Sequence, residues 1–123
     1  MDLVKGNAGN DLVYGGNHVD KVFGGIGNDA LYGENADDTV TGQAGQDVIY
    51  GGGGNDNLQG GGVVAKKAAS GNDTVFGDAG NDRLWGNLGD DSLVGGTGNG
   101  TLNGWSGKDR LFGGSGSDKI MDS

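Results

Sequence analysis

Aspartate returns at a fixed interval along this chain: Asp11, Asp20, Asp29, Asp38, Asp47 and Asp56 lie nine residues apart, followed by Asp73, Asp82, Asp91, Asp109 and Asp118. These are hard, anionic oxygen donors. Sixteen of the seventeen acidic residues are Asp and one, Glu34, is Glu. Surface solvation would use both freely, so the preference for the shorter carboxylate says that reach from the backbone matters. The formal net charge of −9 and a pI near 4.1 make cations the natural partner. The same charge argues against nucleic acid and against anionic membrane surfaces, which repel an acidic chain.

What must position these residues is a repeat. From Gly6 the chain divides into nonapeptides such as GNAGNDLVY, GGIGNDALY, GGGGNDNLQ and GDAGNDRLW, with Asp2 to Lys5 as the tail of an earlier unit. Gly holds the first position of all twelve units, and the fourth in all but two, where His18 and Ala36 stand. The sixth is Asp except at Gly100, and the eighth is always Val, Leu or Ile. The 31 Gly and no Pro in 123 residues, against an average Gly usage of about 7%, fit a backbone that turns many times.

Positions one to six have turn chemistry, and positions seven to nine alternate around a branched apolar residue as a short strand does. A strand of that length has no stability alone. If each turn reverses the chain, two units close one coil of 18 residues, and successive coils stack strands in parallel about 4.8 Å apart. The fold expected is an all-β solenoid with two sheets and two columns of turns.

Stacking sets Asp over Asp. One column holds Asp11, Asp29, Asp47, Asp73, Asp91 and Asp109, the other Asp20, Asp38, Asp56, Asp82, Gly100 and Asp118. Carboxylates so close repel by roughly 3 kcal/mol per pair at an effective dielectric near 20, so something positive must lie between them. Gly-rich turns can aim backbone carbonyls into the same gap. A site of hard oxygens alone selects Ca²⁺ over zinc or copper. One aliphatic per unit is a thin core against the entropy of ordering so many glycines, so the metal-free chain is expected to be disordered and ion binding to become folding energy.

The units GGIGNDALY, GGGGNDNLQ and GDAGNDRLW resemble the RTX (repeats-in-toxin) nonapeptide G-G-x-G-x-D-x-U-x, over essentially the whole chain outside an insertion at about 62–70. The resemblance implies one domain over 1–123, with repeats from 6 to 121, folded as a right-handed parallel β-roll. It implies Ca²⁺ between consecutive turns on each edge. Its ligands would be the sixth-position Asp residues and backbone carbonyls of the first four positions. Those carbonyls belong to Gly6, Gly9, Gly24, Gly25, Gly27, Gly42, Gly45, Gly51, Gly52, Gly54, Gly77, Gly80, Gly86, Gly89, Gly95, Gly98, Gly107, Gly113 and Gly116. Five gaps per column allow up to about ten ions. The resemblance further implies a secreted protein, exported by a Gram-negative type I system and folding on external calcium, in which the roll serves a larger toxin, enzyme or adhesin. The chain stops at Asp122 and Ser123 directly after its last repeat, so a module or excised fragment is expected.

Three departures bear on the sites. Gly100 removes a carboxylate between Asp82 and Asp118, which should weaken both adjoining gaps. His18 and Ala36 replace turn glycines and should strain early turns of that column. The insertion GVVAKKAAS splits a turn between Asp47 and Asp91 and puts those gaps in doubt, although loop insertions cost little entropy and the frame should survive with the segment bulging outward.

Catalysis is not expected. His18 is the only His, there is no Cys, and no Ser has a triad partner. The pairs Asp37–Asp38 and Asp90–Asp91 could suggest glycosidase chemistry, but the frame makes one of each pair a ligand and the other a turn residue. An EF-hand needs a Glu at its twelfth loop position, and ice binding needs a regular Thr row that position three lacks. The sequons at Asn72 and Asn99 read as by-products of the repeat. No run is long enough for a transmembrane helix, membrane insertion is not expected, and MDLVKGNAG lacks the regions of a signal peptide.

The outer faces differ. Tyr14, Tyr32, Tyr50, Phe76 and Phe112 share one sheet, whereas the other carries Thr41, Gln59 and Asn103 among Phe23, Trp85 and Met121. The aromatic face reads either as a ladder within the sheet or as an interface for a second copy or a neighbouring domain. A rival functional reading is a surface- or polysaccharide-binding module of a secreted enzyme or adhesin. An acidic chain would match acidic glycans only if Lys66, Lys67, Arg83 and Arg110 clustered.

Overall fold

The computed structural model describes residues 1–62 and 71–122. The expected outward course of the insertion falls on residues 63–70, outside the described ones. Among the described residues thirteen strands follow one another: β1 Leu3–Ala8, β2 Leu12–Gly16, β3 Lys21–Ile26, β4 Ala30–Asn35, β5 Thr39–Ala44, β6 Val48–Gly53, β7 Asn57–Gly61, β8 Thr74–Ala79, β9 Arg83–Leu88, β10 Ser92–Thr97, β11 Thr101–Ser106, β12 Arg110–Ser115 and β13 Lys119–Met121. Odd-numbered strands form a seven-stranded sheet and even-numbered strands a six-stranded one, each in chain order. Every pairing is parallel, as in Val22 beside Val40 and Leu31 beside Ile49. The chain is an all-β solenoid of about six turns, each coil spanning 18 residues as the two-unit repeat requires.

The strands are longer than the alternating triplet predicts. Most run six residues, from position seven through position three of the next unit, and only positions four to six lie between strands. The extra length arises because coil-to-coil pairing continues past the first-position Gly, with Asn7 beside Gly25 and Ala8 beside Ile26. Position two is left-handed in eleven units: the glycines 16, 25, 52, 96 and 114, and also Asn7, Glu34, Gln43, Asp78, Asn87 and Trp105.

The frame survives the insertion. Across it the register shifts from 18 residues to 26, with Val48 beside Thr74 and Asn57 beside Arg83. The added length is therefore eight residues, one fewer than expected, because Gly62 keeps its ladder bond to the Gln43 carbonyl at 3.1 Å. Inside, the eighth-position side chains from Val13 to Leu102 form a single file of buried aliphatics between the sheets. Val4 and Leu111 are partly buried against it, and Ile120 is 49% exposed where no further coil covers it.

On the six-stranded face, Tyr14, Tyr32, Tyr50 and Phe76 stack with ring centroids 4.8 to 5.0 Å apart and planes within 16°. The ladder predicted for that sheet exists over these four rings. Val94 follows in register, and beyond it Phe112 is 66% exposed.

Candidate metal sites along the two turn columns

Each sixth-position Asp closes a turn immediately before a strand, and parallel stacking places it over its equivalent 18 residues away. Oδ1 of Asp29 accepts the backbone N–H of Asp11 at 2.8 Å, Asp47 does so from Asp29 at 2.9 Å, and Asp73 from Asp47 at 2.8 Å. The line continues through Asp91 and Asp109. On the opposite edge it runs from Asp2 through Asp20, Asp38 and Asp56 to Asp82. The two columns read from the frame are thus the two that the fold builds, and the column with the insertion is unbroken through Asp73.

The second oxygen is different. Oδ2 of Asp11, Asp20, Asp29, Asp38, Asp47, Asp56, Asp73, Asp82, Asp91 and Asp109 is buried with no hydrogen-bond donor. Each of the eight Asp residues from Asp20 to Asp91 in these columns is at most 2% exposed. A buried carboxylate oxygen without a partner is costly. Repeated ten times along two edges, it marks a place for cations, and among ions a carboxylate with backbone carbonyls suits Ca²⁺.

The first-position glycines explain how that oxygen fits. A Cβ on Gly33 would lie 2.7 Å from Asp38 Oδ2 and 2.6 Å from the Gly51 carbonyl oxygen, and one on Gly6 would meet Asp11 Oδ2 and the Gly24 oxygen at similar distances. The missing side chain is therefore the space in which a carboxylate and the carbonyl of the next coil converge. The same cradle recurs at Gly24, Gly42, Gly51 and Gly77. At Gly86 and Gly113 the cradle shows the carboxylate of Asp91 and Asp118. Gly33, Gly60 and Gly104 belong with them, facing Oδ2 of Asp38, Asp73 and Asp109. Their place in the repeat frame is the signal that marks these three further glycines, which the expected ligand set did not include.

Other expected carbonyl donors are placed differently. At the fourth position, Gly27, Gly45, Gly54, Gly80, Gly89, Gly98, Gly107 and Gly116 stack backbone on backbone, each against the carbonyl of its equivalent one coil earlier. Gly25 and Gly52 do the same at position two, against Asn7 and Glu34. These glycines allow the turns to approach. Among the described residues no group of three or more His, Cys, Asp or Glu side chains gathers at one point, because each coil brings one carboxylate per edge and the remaining oxygens are backbone.

Burial, ahead of neighbouring charge, raises these carboxyls above their ordinary 3.8: Asp38, Asp47, Asp56, Asp82 and Asp91 to about 6 and Asp73 to about 7. Asp29 is raised for the same reason. The backbone N–H donated to each pulls the other way, and stacked acids add to the rise. Burial thus disfavours the charged form of these carboxyls, and a cation placed between them would offset that cost.

The departures have distinct consequences. At residue 100 the column lacks a carboxylate, although the Gly100 N–H still donates to Asp118 Oδ1 at 2.8 Å. Correspondingly, a Cβ on Gly95 would meet the Gly113 oxygen and Leu102 but no carboxylate. Ala36 is left-handed at φ 90°, so strain is present there, whereas His18 is absent from the left-handed residues. Asp37 and Asp90, the partners in the acidic pairs, accept the N–H groups of Asn55 and Lys108 and are turn residues as expected.

They also belong to a second ladder that the frame did not flag. At position five, Asn10, Asn28, Asn55, Asn72, Asn81 and Asn99 each accept the N–H of the residue one coil later, in the opposite sense to the Asp ladder. The signal was the run of Asn and Asp at that position. Asn72 and Asn99, the two sequon residues, are among them. Arg83 opens β9 and Arg110 opens β12, in different sheets, so these two do not cluster; Lys66 and Lys67 lie outside the described residues.

Among the described residues no helix is long and apolar enough to cross a membrane. No curated protein and no solved structure matches the chain significantly. The family model of the RTX calcium-binding nonapeptide repeat does match, in four copies over residues 1–31, 32–62, 68–102 and 87–120. Those matches cover nearly the whole roll, and the buried Asp oxygens provide for the ion that such repeats bind, so this chain belongs to the RTX calcium-binding repeat family.

Proposed function

We propose that this chain is a module that calcium folds: ions seated between successive turns neutralise the two Asp columns, and their binding free energy drives the coil into register. The observation that carries this reading is the set of ten buried, donorless Asp Oδ2 atoms. Asp11, Asp20, Asp29, Asp38, Asp47, Asp56, Asp73, Asp82, Asp91, Asp109 and Asp118 would supply carboxylate, and the first-position glycines the carbonyl beside it. The carbonyls of the second and fourth positions complete the proposed ligand set, for up to about ten ions. The residues themselves hold the turns apart by one strand spacing and exclude water from one face of each carboxylate.

The same reading makes the module structural and without catalysis of its own, part of a secreted bacterial protein that stays unfolded where calcium is scarce and folds where it is abundant. Export by a type I system of a Gram-negative cell belongs to this proposal. Circular dichroism with calcium, without it, and after EGTA is added to the folded sample tests the reading. A β spectrum indifferent to chelation would overturn it. Contact with a second copy or a neighbouring domain through the Tyr14, Tyr32, Tyr50, Phe76 and Phe112 face is favoured by the exposure of Tyr14 and Phe112. Replacing Tyr32 and Tyr50 by Ser should then lower the sedimentation coefficient in calcium if the contact is between copies.

A further inference from the structure

The tyrosines of the six-stranded sheet are placed for a reaction that calcium binding does not use. The chain has three Tyr, and strand register sets Tyr14 beside Tyr32 and Tyr32 beside Tyr50. Their rings stack with centroids 4.9 and 4.8 Å apart and planes at 16° and 7°. Phe76 continues the stack at 5.0 Å but carries no hydroxyl. Every phenol of the protein therefore lies one strand spacing from another, held there by the parallel pairing of the coils.

The two pairs are not equivalent. Tyr14 is 50% exposed, whereas Tyr32 and Tyr50 are partly buried between neighbouring rings. Tyr14 also stands on β2, the edge strand of its sheet. An oxidant reaches it from solvent, and its ring has room to turn out of the stack. Coupling of two phenols needs that turn, because the new bond joins ring carbons next to the hydroxyls and not the ring faces.

We propose that Tyr14 and Tyr32 are an oxidative cross-linking site, at which a one-electron oxidant of the haem-peroxidase class joins two consecutive coils through a dityrosine bond. Each phenol gives up one electron and one proton, and the two phenoxyl radicals form a carbon–carbon bond between their ortho positions. The hydrogen on each of those carbons then moves to the phenol oxygen. One hydrogen peroxide takes up the two electrons and two protons and leaves as two waters, so the linked pair is two hydrogens lighter. The fold supplies proximity, since the two rings are already neighbours when the radicals form. The link closes a loop between residues 18 apart in the sequence, and like a disulfide it restricts the unfolded chain. With no Cys, the protein has no disulfide to do the same.

The site exists only in the folded roll and so rests on the proposed folding by calcium, which a circular dichroism spectrum of each sample monitors separately. The full chain in saturating calcium is treated with a haem peroxidase and an equimolar amount of hydrogen peroxide. Cleavage before Asp places the three tyrosines on separate peptides, so mass spectrometry identifies the linked pair. The expected product runs as a monomer on a denaturing gel, shows dityrosine fluorescence, and joins the Tyr14 peptide to the Tyr32 peptide with the loss of two hydrogens. Tyr32→Phe leaves Tyr14 and Tyr50 about 10 Å apart, and the yield within one chain should fall about tenfold or more. Tyr50→Phe should leave it unchanged. Both variants should fold, because Phe76 already occupies the same ladder position. A native spectrum without dityrosine, links only between chains, a link confined to Tyr32 and Tyr50, or an undiminished yield in Tyr32→Phe would overturn the proposal. Equal coupling and an equal spectrum in EGTA would strike the folding reading and leave this site standing.

Discussion

Asp47 divides its carboxylate between two partners: Oδ1 accepts the N–H of Asp29 at 2.9 Å, and Oδ2, equally enclosed, accepts nothing from the protein. One oxygen sets the spacing of the coils, and the other is left for a cation. Most of what can be tested follows from that division.

Asp47→Asn keeps the acceptor and replaces the donorless oxygen with an amide that repels a cation. The calcium concentration at half-folding, read by circular dichroism, should rise about tenfold. The metal-free chain should be no less structured than the parent, since a buried anion has been removed. An unchanged midpoint would show that Oδ2 holds no ion.

The pH dependence should reverse sign with calcium. In EGTA, the folded carboxyls of Asp38, Asp47, Asp56, Asp82 and Asp91 at about 6, and of Asp73 at about 7, bind more protons than their unfolded counterparts near 3.8. Stability then falls as pH rises through that window, and acidification from about pH 8 to about pH 5 should increase the β signal. In calcium the same acidification should decrease it, because protons compete for the ligands. Parallel titrations with one sign would refute the account.

Gly51 and Gly53 offer a matched pair. A Cβ on Gly51 would meet Asp56 Oδ2 at 2.5 Å and the Gly77 oxygen at 2.7 Å, whereas one on Gly53 finds only Asn35 Oδ1 at 3.8 Å. Gly51→Ala should cost about 2 to 4 kcal/mol of stability in calcium, and Gly53→Ala within about 0.5. Thermal unfolding of the two variants side by side decides it.

Gly100→Asp should repair the interrupted column. A Cβ there lies 3.3 Å from its nearest neighbours, Asp118 Oδ1 and the Leu102 side chain, and residue 100 needs no left-handed backbone. Equilibrium dialysis should show one or two more calcium ions bound at saturation, about the two gaps that residue borders. Equal stoichiometry would mean that those gaps fill without the carboxylate.

Much of this architecture is legible in the order of the amino acids. A repeat of nine with one branched aliphatic and one Asp per unit stacks only if equivalent residues superpose, so the pairing of Asp29 with Asp11 and of Leu31 with Ile49 follows from periodicity. Less legible is how far the strands extend. Positions one to three look like turn residues because they are Gly-rich, yet they pair coil to coil, a non-local gain that local propensity does not report. The opposed sense of the Asp and Asn ladders is hidden for the same reason. It depends on which neighbouring coil each side chain reaches.

By itself the sequence determined the coil length, the two Asp columns, the aliphatic file and the family, because translational repetition makes every unit constrain every other. The tertiary structure decided what repetition leaves open. It showed which carboxylate oxygen is left without a donor, that eight residues rather than nine are inserted, and that Trp85 and Trp105 line one cleft across two strands. Those two residues sit at different positions of the repeat, and only the lateral register of β9 and β11, set by hydrogen bonds between coils, could bring them to one cleft.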